Sequence, residues 1–234
     1  MFDPLYFILV MPFFLLSMWA SYRVSSSFKK WAGFRNSYGY SGAEIARRIL
    51  NQAGLASVKV EHVPGSLTDH YDPASKTLRL SDDTYSSNSI AAAGVAAHEA
   101  GHAIQDQVRY PMLAFRSAVV PMASFSSKIS TILIMAGFLL MMFMGQLGWY
   151  IAAAGVVLFS IVVVFQLITV PVELDASRRA KEILQKMGMA SRDETLAVNE
   201  VLNAAAWTYV AAAMAALAQL VYFAVRLAMG SRNE

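Results

Sequence analysis

Four long apolar segments constrain the fold of this chain more than any other feature of its sequence. They cover approximately residues 4–22, 129–146, 149–170 and 209–229. A helix needs about 20 apolar residues to cross the hydrocarbon core of a bilayer, so each segment is long enough to span one. The composition agrees, because 56% of the residues are hydrophobic and only 15% are charged. The sequence therefore predicts a mainly α-helical integral membrane protein with four transmembrane helices.

The residues around these segments carry further signals. No small-residue cleavage site follows the first segment, and Trp19 and Tyr22 are typical interfacial anchors, so we expect an uncleaved membrane anchor with a kink at Pro12. Only the residues around 145–148 separate the second and third segments, which predicts a tight hairpin. Residues 110–127 are expected to be a partly helical, interfacial approach to the second segment, or a hydrophobic connector packed on the membrane helices.

The distribution of basic residues predicts an orientation. They cluster after the first segment, before the second and after the third, whereas the turn at 145–148 carries no charge. By the positive-inside rule, residues 23–128 and 171–208 face the cytoplasm and both termini face outward, although Arg226 and Arg232 argue weakly for the opposite. The two cytoplasmic segments then lie on the same side and can build one site.

These cytoplasmic segments contain local folding signals. Ser41 and Glu44 form a capping box for a helix predicted over 41–53, and Gly54 is typical of the residue that follows a helix. A second helix is predicted over 88–107. Alternating apolar and polar residues predict a small sheet beside that helix, with strands at 57–63, 67–71 and 77–81. An extended peptide could add to the edge of this sheet, for which the last two strands are the candidates.

The pentapeptide His-Glu-Ala-Gly-His at residues 98–102 lies within the second of these helices. Residues four apart share one face of a helix, so His98 and His102 can place two imidazole nitrogens on one metal ion, with Glu99 beside them. This is the HExxH pattern of zinc proteases, in which the histidines bind zinc and the glutamate is a general base. The chain has no Cys, which leaves His and carboxylates as the candidate ligands.

A catalytic zinc ion usually has three protein ligands, so the motif needs a third residue. Glu173 is the leading candidate, because a carboxylate directly after an apolar segment requires a counter-charge or a metal. It could equally be an acidic residue that the helix dipole favours and a neighbouring arginine neutralises. Asp175 competes for the ligand role or could orient a histidine ring. His62 and His70 are further candidates.

Several stretches together resemble the YugP-type membrane neutral zinc metallopeptidases of bacteria, and the resemblance covers nearly the whole chain. They are LTDHYDP at 67–73, LRLS at 78–81, SI at 89–90, VAAHEAGHAIQ at 95–105, PVELDASRRA at 171–180 and TYVA at 208–211. The resemblance implies a zincin-like α+β catalytic part on the cytoplasmic side of the bacterial inner membrane. It also implies that zinc is the cofactor and that lipid surrounds the spans.

A more remote similarity links the chain to HtpX and the CAAX prenyl proteases, which pair a membrane-embedded HExxH with a later Glu ligand. It implies that His98, His102 and Glu173 bind the metal in a gluzincin-like site. In that group an acidic residue follows the Glu ligand by four positions. Here Asp175 follows it by two, and Ser177 stands at the four-residue position. The role of Asp175 therefore stays open.

These observations lead to the hypothesis of a membrane-integral zinc endopeptidase that hydrolyses protein or peptide substrates at the cytoplasmic membrane face. Glu99 would take a proton from the zinc-activated water and pass it to the leaving amine. The oxyanion of the tetrahedral intermediate needs a further donor, for which His70, Tyr71, Arg178 and Arg179 are candidates.

The alternative hypothesis is a non-catalytic membrane scaffold or adaptor in which zinc is structural. Structural zinc sites are closed by four protein ligands, and His62, His70 or Asp175 could supply the fourth. Nucleic acid is not an expected partner in either case, because the chain has no basic stretch interleaved with aromatic residues.

Overall fold

The computed structural model describes residues 3–230, and it is mainly helical with one small sheet. In chain order its elements are α1 (Pro4–Leu9), α2 (Met11–Ala32), α3 (Gly42–Gln52), β1 (Lys59–His62), β2 (His70–Asp72), β3 (Thr77–Leu80), α4 (Asp82–Tyr85), α5 (Ile90–Gln107), α6 (Pro111–Met144), α7 (Gln146–Lys186) and α8 (Arg192–Gly230).

The chain folds as two compact units. Of the described residues, the helical unit comprises 3–19, Phe115–Val170 and 209–230. The mixed unit comprises Ala20–Ala114 and Pro171–Thr208, and it contains the sheet. The residues of the HExxH pattern and Glu173 all belong to the mixed unit, although a long stretch of sequence separates them.

Within residues 3–230, three helices are long and apolar enough to cross a bilayer, namely α6, α7 and α8. In the most apolar stretch of each, only 17% of the residues are buried. Large side chains such as Met142 and Phe143 are 76% and 77% exposed. An apolar surface of this extent suits lipid contact better than water. The predicted orientation of these helices stays a prediction.

The first apolar segment was expected to be one kinked helix over 4–22, but the structure divides it between α1 and α2. Val10 caps the end of α1 and donates its N–H to Tyr6 O, and Phe13 N donates to Val10 O. The break lies beside Pro12, whose ring has no N–H to donate and would clash with the preceding turn of a continuous helix. Neither helix qualifies alone as a span, so a fourth transmembrane helix stays a prediction.

The residues before the second apolar segment are helical throughout, since α6 runs unbroken from Pro111 and contains Pro121. Gly145 alone connects α6 with α7, and its φ of 45° is a left-handed conformation that favours glycine. A Cβ added to Gly137 would overlap the backbone of Ala152. The two helices of the predicted tight hairpin therefore pack with their backbones in close approach.

In the mixed unit, the helix predicted over 41–53 is confirmed as α3. Glu44 N donates to Ser41 Oγ at 3.3 Å, and Ser41 N donates to Glu44 Oε2 at 2.8 Å, which is the predicted capping box. Gly54 follows the helix with a φ of 74°. The capping residues thus fix the start of α3, and a glycine in the left-handed region fixes its end.

The small sheet is confirmed with the strand order β1-β3-β2, but the strand predicted over 67–71 is shorter and shifted, since β2 is His70–Asp72 and Leu67 has a φ of 55° that is not extended. β1 pairs with β3 in parallel, Lys59 opposite Thr77, whereas β2 pairs with β3 antiparallel, His70 opposite Arg79. The expectation that residues 77–81 could form the free edge is wrong, because β3 is the central strand. Its side chains are almost all buried, as a strand with neighbours on both sides requires. The free edge beside α5 belongs to β2.

The core of the mixed unit lies where α3 and the sheet pack against α5. Alanines make up much of the buried face of α5, so the neighbouring elements approach its backbone closely. The largest fully buried apolar side chains of this core are Ile45, Ile49, Leu50, Leu78, Leu80 and Leu184.

Candidate metal centre

Helix α5 carries the two histidines of the HExxH pattern. Its N-terminus is capped by Ser89, whose hydroxyl accepts a hydrogen bond from Ala92 N at 3.1 Å. The centroids of the His98 and His102 rings are 4.8 Å apart, and the ring planes are nearly perpendicular, at 84°. The helical spacing therefore places the two imidazoles side by side, as the sequence predicted.

Glu173 of α7 completes the group. Its Oε2 lies 3.2 Å from His98 Nε2 and 3.4 Å from His102 Nε2. One donor atom from each of the three residues lies within 4.8 Å of the other two, and within residues 3–230 they form the His/Asp/Glu group that could hold a metal ion. Of the candidates for a third ligand, the structure brings Glu173 to the histidines.

A close crossing of α5 and α7 makes this convergence possible. A Cβ built on Gly101 would lie 2.7 Å from Ala176 O, closer than real Cβ atoms approach a carbonyl oxygen. One turn later on α5 and one turn earlier on α7, Gln105 Nε2 donates to Val172 O at 2.9 Å. The crossing thus requires glycine at position 101 and is held by an amide at position 105.

Each histidine has a second partner at its other ring nitrogen. His102 Nδ1 lies 2.9 Å from Gln105 Oε1, and His98 Nδ1 lies 3.2 Å from Ser177 Oγ. Sequence reasoning did not identify Gln105 as a site residue. The available signal was its position three residues after His102, on the same face of the helix.

Asp175 is not in the metal-binding group but is joined to it through Gln105. Its Oδ2 accepts from Gln105 Nε2 at 2.9 Å and from Arg179 Nε at 2.6 Å, while its other oxygen pairs with Arg178. Asp175 therefore reaches the His102 ring through an intervening amide rather than directly.

The group lies in a weakly hydrated environment. The side chains of His98, His102 and Glu173 are 12%, 9% and 3% exposed, and Glu99 is also buried. Burial raises the pKa of Glu99, against the opposing effect of the two neighbouring histidines. Burial acts to lower the pKa of His102, but the hydrogen bond and charge of Glu173 outweigh it and the pKa is raised.

The predicted oxyanion donors on β2 have other partners. Tyr71 donates its hydroxyl to Asp106 Oδ2 at 2.7 Å, and His70 Nδ1 lies 2.8 Å from Thr68 O. Neighbouring side chains of a strand point to opposite faces, so His70 lies on the sheet face away from α5. The structure thus brings neither side chain into the metal-binding group.

The remaining predicted residues are also paired elsewhere. Arg178 donates to Glu182 Oε1 at 2.7 Å in addition to its pair with Asp175. His62 Nε2 lies 2.6 Å from Asp82 Oδ1, on the exposed surface of the mixed unit.

Comparison with known proteins identifies the family of this chain. Residues 6–228 match the model of a family described as "putative neutral zinc metallopeptidase". The "putative membrane protease YugP" of Bacillus subtilis (strain 168) is 46% identical over 219 residues, which cover 94% of each chain. No solved structure matches this chain.

Proposed function

Since the chain belongs to the neutral zinc metallopeptidase family, we propose that it is a membrane-integral zinc endopeptidase with a metal site at His98, His102 and Glu173. The observation that carries this proposal is the convergence of two imidazoles and one carboxylate from distant parts of the chain. Three protein ligands are typical of catalytic zinc, since they leave the fourth coordination position open for water or substrate.

The chemistry of the donors fits zinc. Imidazole nitrogens and a carboxylate oxygen are ligands that zinc accepts, and both Nε2 atoms face the same carboxylate oxygen of Glu173. When bound, zinc would act as a Lewis acid that activates water and polarises the scissile carbonyl.

Glu99 is the proposed general base. It directly follows His98 on α5 and is only 7% exposed, so bulk water has little access to its carboxylate. In the proposed reaction Glu99 takes a proton from the attacking water and then gives it to the leaving amine.

A substrate strand is proposed to pair with the free edge of β2. Tyr71 of β2 connects β2 to α5 by donating a hydrogen bond to Asp106. Just before the strand, the charge of Asp69 acts on Glu99, so this segment passes near the proposed base. Main-chain pairing of this kind would recognise an extended protein or peptide segment with little dependence on its sequence.

The proposed location of the site is the cytoplasmic face of a bacterial inner membrane, in a multi-pass protein. The basic residues that follow the first and third apolar segments support this orientation. Arg226, whose Nε lies 3.6 Å from Asp3 Oδ2, argues weakly for the opposite orientation, and Arg232 lies outside the described residues.

The scaffold alternative requires a fourth protein ligand. Among the described residues, the three candidates for this ligand lie outside the metal-binding group: His62 is paired with Asp82, His70 with Thr68 O, and Asp175 with arginines. No contact therefore favours a closed, structural zinc site over an open one.

The proposal can be tested by zinc content and casein hydrolysis, measured on the same purified samples of wild type, Glu99→Gln, Glu173→Ala and Glu182→Ala. The last variant is a matched control, because Glu182 is an exposed glutamate of α7 that pairs with Arg178. We expect one zinc per chain in wild type, Glu99→Gln and Glu182→Ala, and less in Glu173→Ala. Hydrolysis should be seen only in wild type and Glu182→Ala.

Two results would contradict the proposal. Full hydrolysis by Glu99→Gln would show that Glu99 is not the base. Zinc in every variant together with hydrolysis in none would favour the scaffold and remove Glu173 from the ligands.

A further inference from the structure

We propose that Gln105 is a positioning residue that holds His102 with its Nε2 toward the metal, and that Asp175 anchors Gln105 in this role. This inference rests on the proposed function, since it concerns the metal site. It starts from an amide that is fully buried, at 0% exposure, and has partners on both of its ends.

The neighbours of Gln105 determine which end of its amide faces the histidine. One end faces Val172 O at 2.9 Å, and a backbone carbonyl can only accept a hydrogen bond. This end must therefore be the NH2 group, which also donates to Asp175 Oδ2 at 2.9 Å. The oxygen of the amide is then the atom that lies 2.9 Å from His102 Nδ1.

The orientation of the amide in turn determines the state of the ring. Because Gln105 Oε1 has no proton to give, the bond is made when His102 Nδ1 carries the hydrogen and donates it. In the neutral ring the lone pair is then at Nε2, the nitrogen that faces Glu173 at 3.4 Å. Gln105 thus selects the tautomer that can bind a metal at that position.

Asp175 prevents the amide from rotating. Its carboxylate is itself held by Arg179 and Arg178, so it gives Gln105 Nε2 a fixed second acceptor. The carboxylate charge does not act on the imidazole through a direct hydrogen bond, because the neutral amide intervenes. A glutamate at position 105 could not replace this arrangement, since its carboxylate would face two acceptors, Val172 O and Asp175.

The test is the zinc dissociation constant, measured by competition with a chromophoric chelator, for wild type, Gln105→Met, Gln105→Glu and Gln107→Met. Gln107 is the matched control, because its amide also ties α5 to another segment, donating to Ala53 O at 3.0 Å, but does not touch a histidine. The visible spectrum of the Co²⁺-loaded proteins would report the coordination geometry, which a purely structural role of Gln105 would leave unchanged.

We expect both Gln105 variants to bind zinc about 10–100-fold more weakly than wild type and to change the Co²⁺ spectrum, with Gln107→Met like wild type. Zinc affinity and a Co²⁺ spectrum equal to wild type in Gln105→Met would overturn the inference, and so would wild-type affinity in Gln105→Glu. If wild type itself binds no zinc, the proposed function fails instead. Thermal unfolding of the metal-free variants would separate weakened binding from misfolding.

Discussion

Gly101 of α5 lies directly against the carbonyl oxygen of Ala176 on α7. A Cβ atom at position 101 would lie only 2.7 Å from this oxygen. This contact lies between the two histidines on one helix and beside Glu173 on the other. The spacing of the two helices therefore depends on a residue that has no side chain, in the middle of the HExxH pattern.

The first prediction concerns this glycine. Gly101→Ala gains about 0.5–1 kcal/mol of helix propensity, but the added methyl must push α7 away, which typically costs about 1–3 kcal/mol in a packed interior. We expect a net loss of unfolding free energy and a lower zinc content than wild type. Chemical denaturation in detergent and elemental analysis would measure both.

Gly94 offers the matched control on the same helix. A Cβ there would lie 3.3 Å from Val198 Cγ1, a side-chain atom that can shift by a few tenths of an ångström. Gly94→Ala should therefore bind zinc like wild type. Equal zinc content in Gly101→Ala and Gly94→Ala would show that the close crossing is not needed for the site.

The second prediction concerns Tyr71, a candidate oxyanion donor whose hydroxyl is bonded to Asp106 at 2.7 Å. Tyr71→Phe should lower the unfolding free energy by about 0.5–1.5 kcal/mol, the net value of one hydrogen bond. Casein hydrolysis should remain close to the wild-type rate, because the hydroxyl acts on the sheet and not on the substrate.

The comparison variant is Tyr85→Phe, whose ring packs edge-on against His62 with centroids 5.4 Å apart. A loss of about 100–1,000-fold in turnover for Tyr71→Phe, with unchanged stability, would contradict this prediction and show that the hydroxyl is an oxyanion donor.

The third prediction concerns acid stability. Hydrogen bonds from Ser75, Ala74 and Arg79 lower the pKa of Asp72 to about 2. Because this pKa is lower in the folded state, the ionised carboxylate stabilises the fold above its ordinary pKa near 3.9, and the contribution is lost as the pH falls towards 2. Asp72→Asn should thus be less stable than wild type at pH 7, and the difference should shrink below pH ~4.

Unfolding free energies measured at pH 7, 4 and 2.5 would check this dependence. Ser75→Ala, which removes a hydroxyl donor of Asp72 at 2.6 Å, should reproduce part of the effect. A stability difference between Asp72→Asn and wild type that is the same at all three pH values would rule out a role for ionised Asp72.

The fourth prediction concerns orientation and uses the absence of Cys from the chain. Single cysteines can be introduced at Gln146, the exposed first residue of α7, and at Ser57, on the surface of the mixed unit. With the site in the cytoplasm, a membrane-impermeant thiol reagent should label Gln146→Cys in intact cells and label Ser57→Cys only after lysis. The reverse pattern would place the site outside.

Local signals in the sequence were sufficient for much of this structure. The capping box at Ser41 and the glycine after α3 act within a single turn of backbone, so they could be interpreted without tertiary contacts. The pairing of His98 with His102 likewise follows from helical periodicity alone. Glu173 could be named as a candidate ligand, but only its packing against α5 separates it from Asp175.

The features that could not be predicted depend on contacts between distant segments. Strand order is an example, because the alternation of residues 77–81 does not distinguish a central strand from an edge. Gln105 is another, since a glutamine in a helix is usually solvated, and its role is visible only when Val172 and Asp175 lie opposite. The break lies at Val10 and not at Pro12 itself, because a proline cannot bond to the carbonyl four residues earlier and clashes with it, which ends the preceding helix upstream of the proline.

The residues of the metal-binding group are synthesised at different times. Glu173 follows His98 by 75 residues, and the hairpin of α6 and α7 lies between them in the chain. A ribosome therefore releases the two histidines and Glu99 before the residue that completes the group. A nascent chain therefore cannot assemble the group until α6 and the preceding part of α7 have been made, so in the proposed protease no cleavage can begin before then.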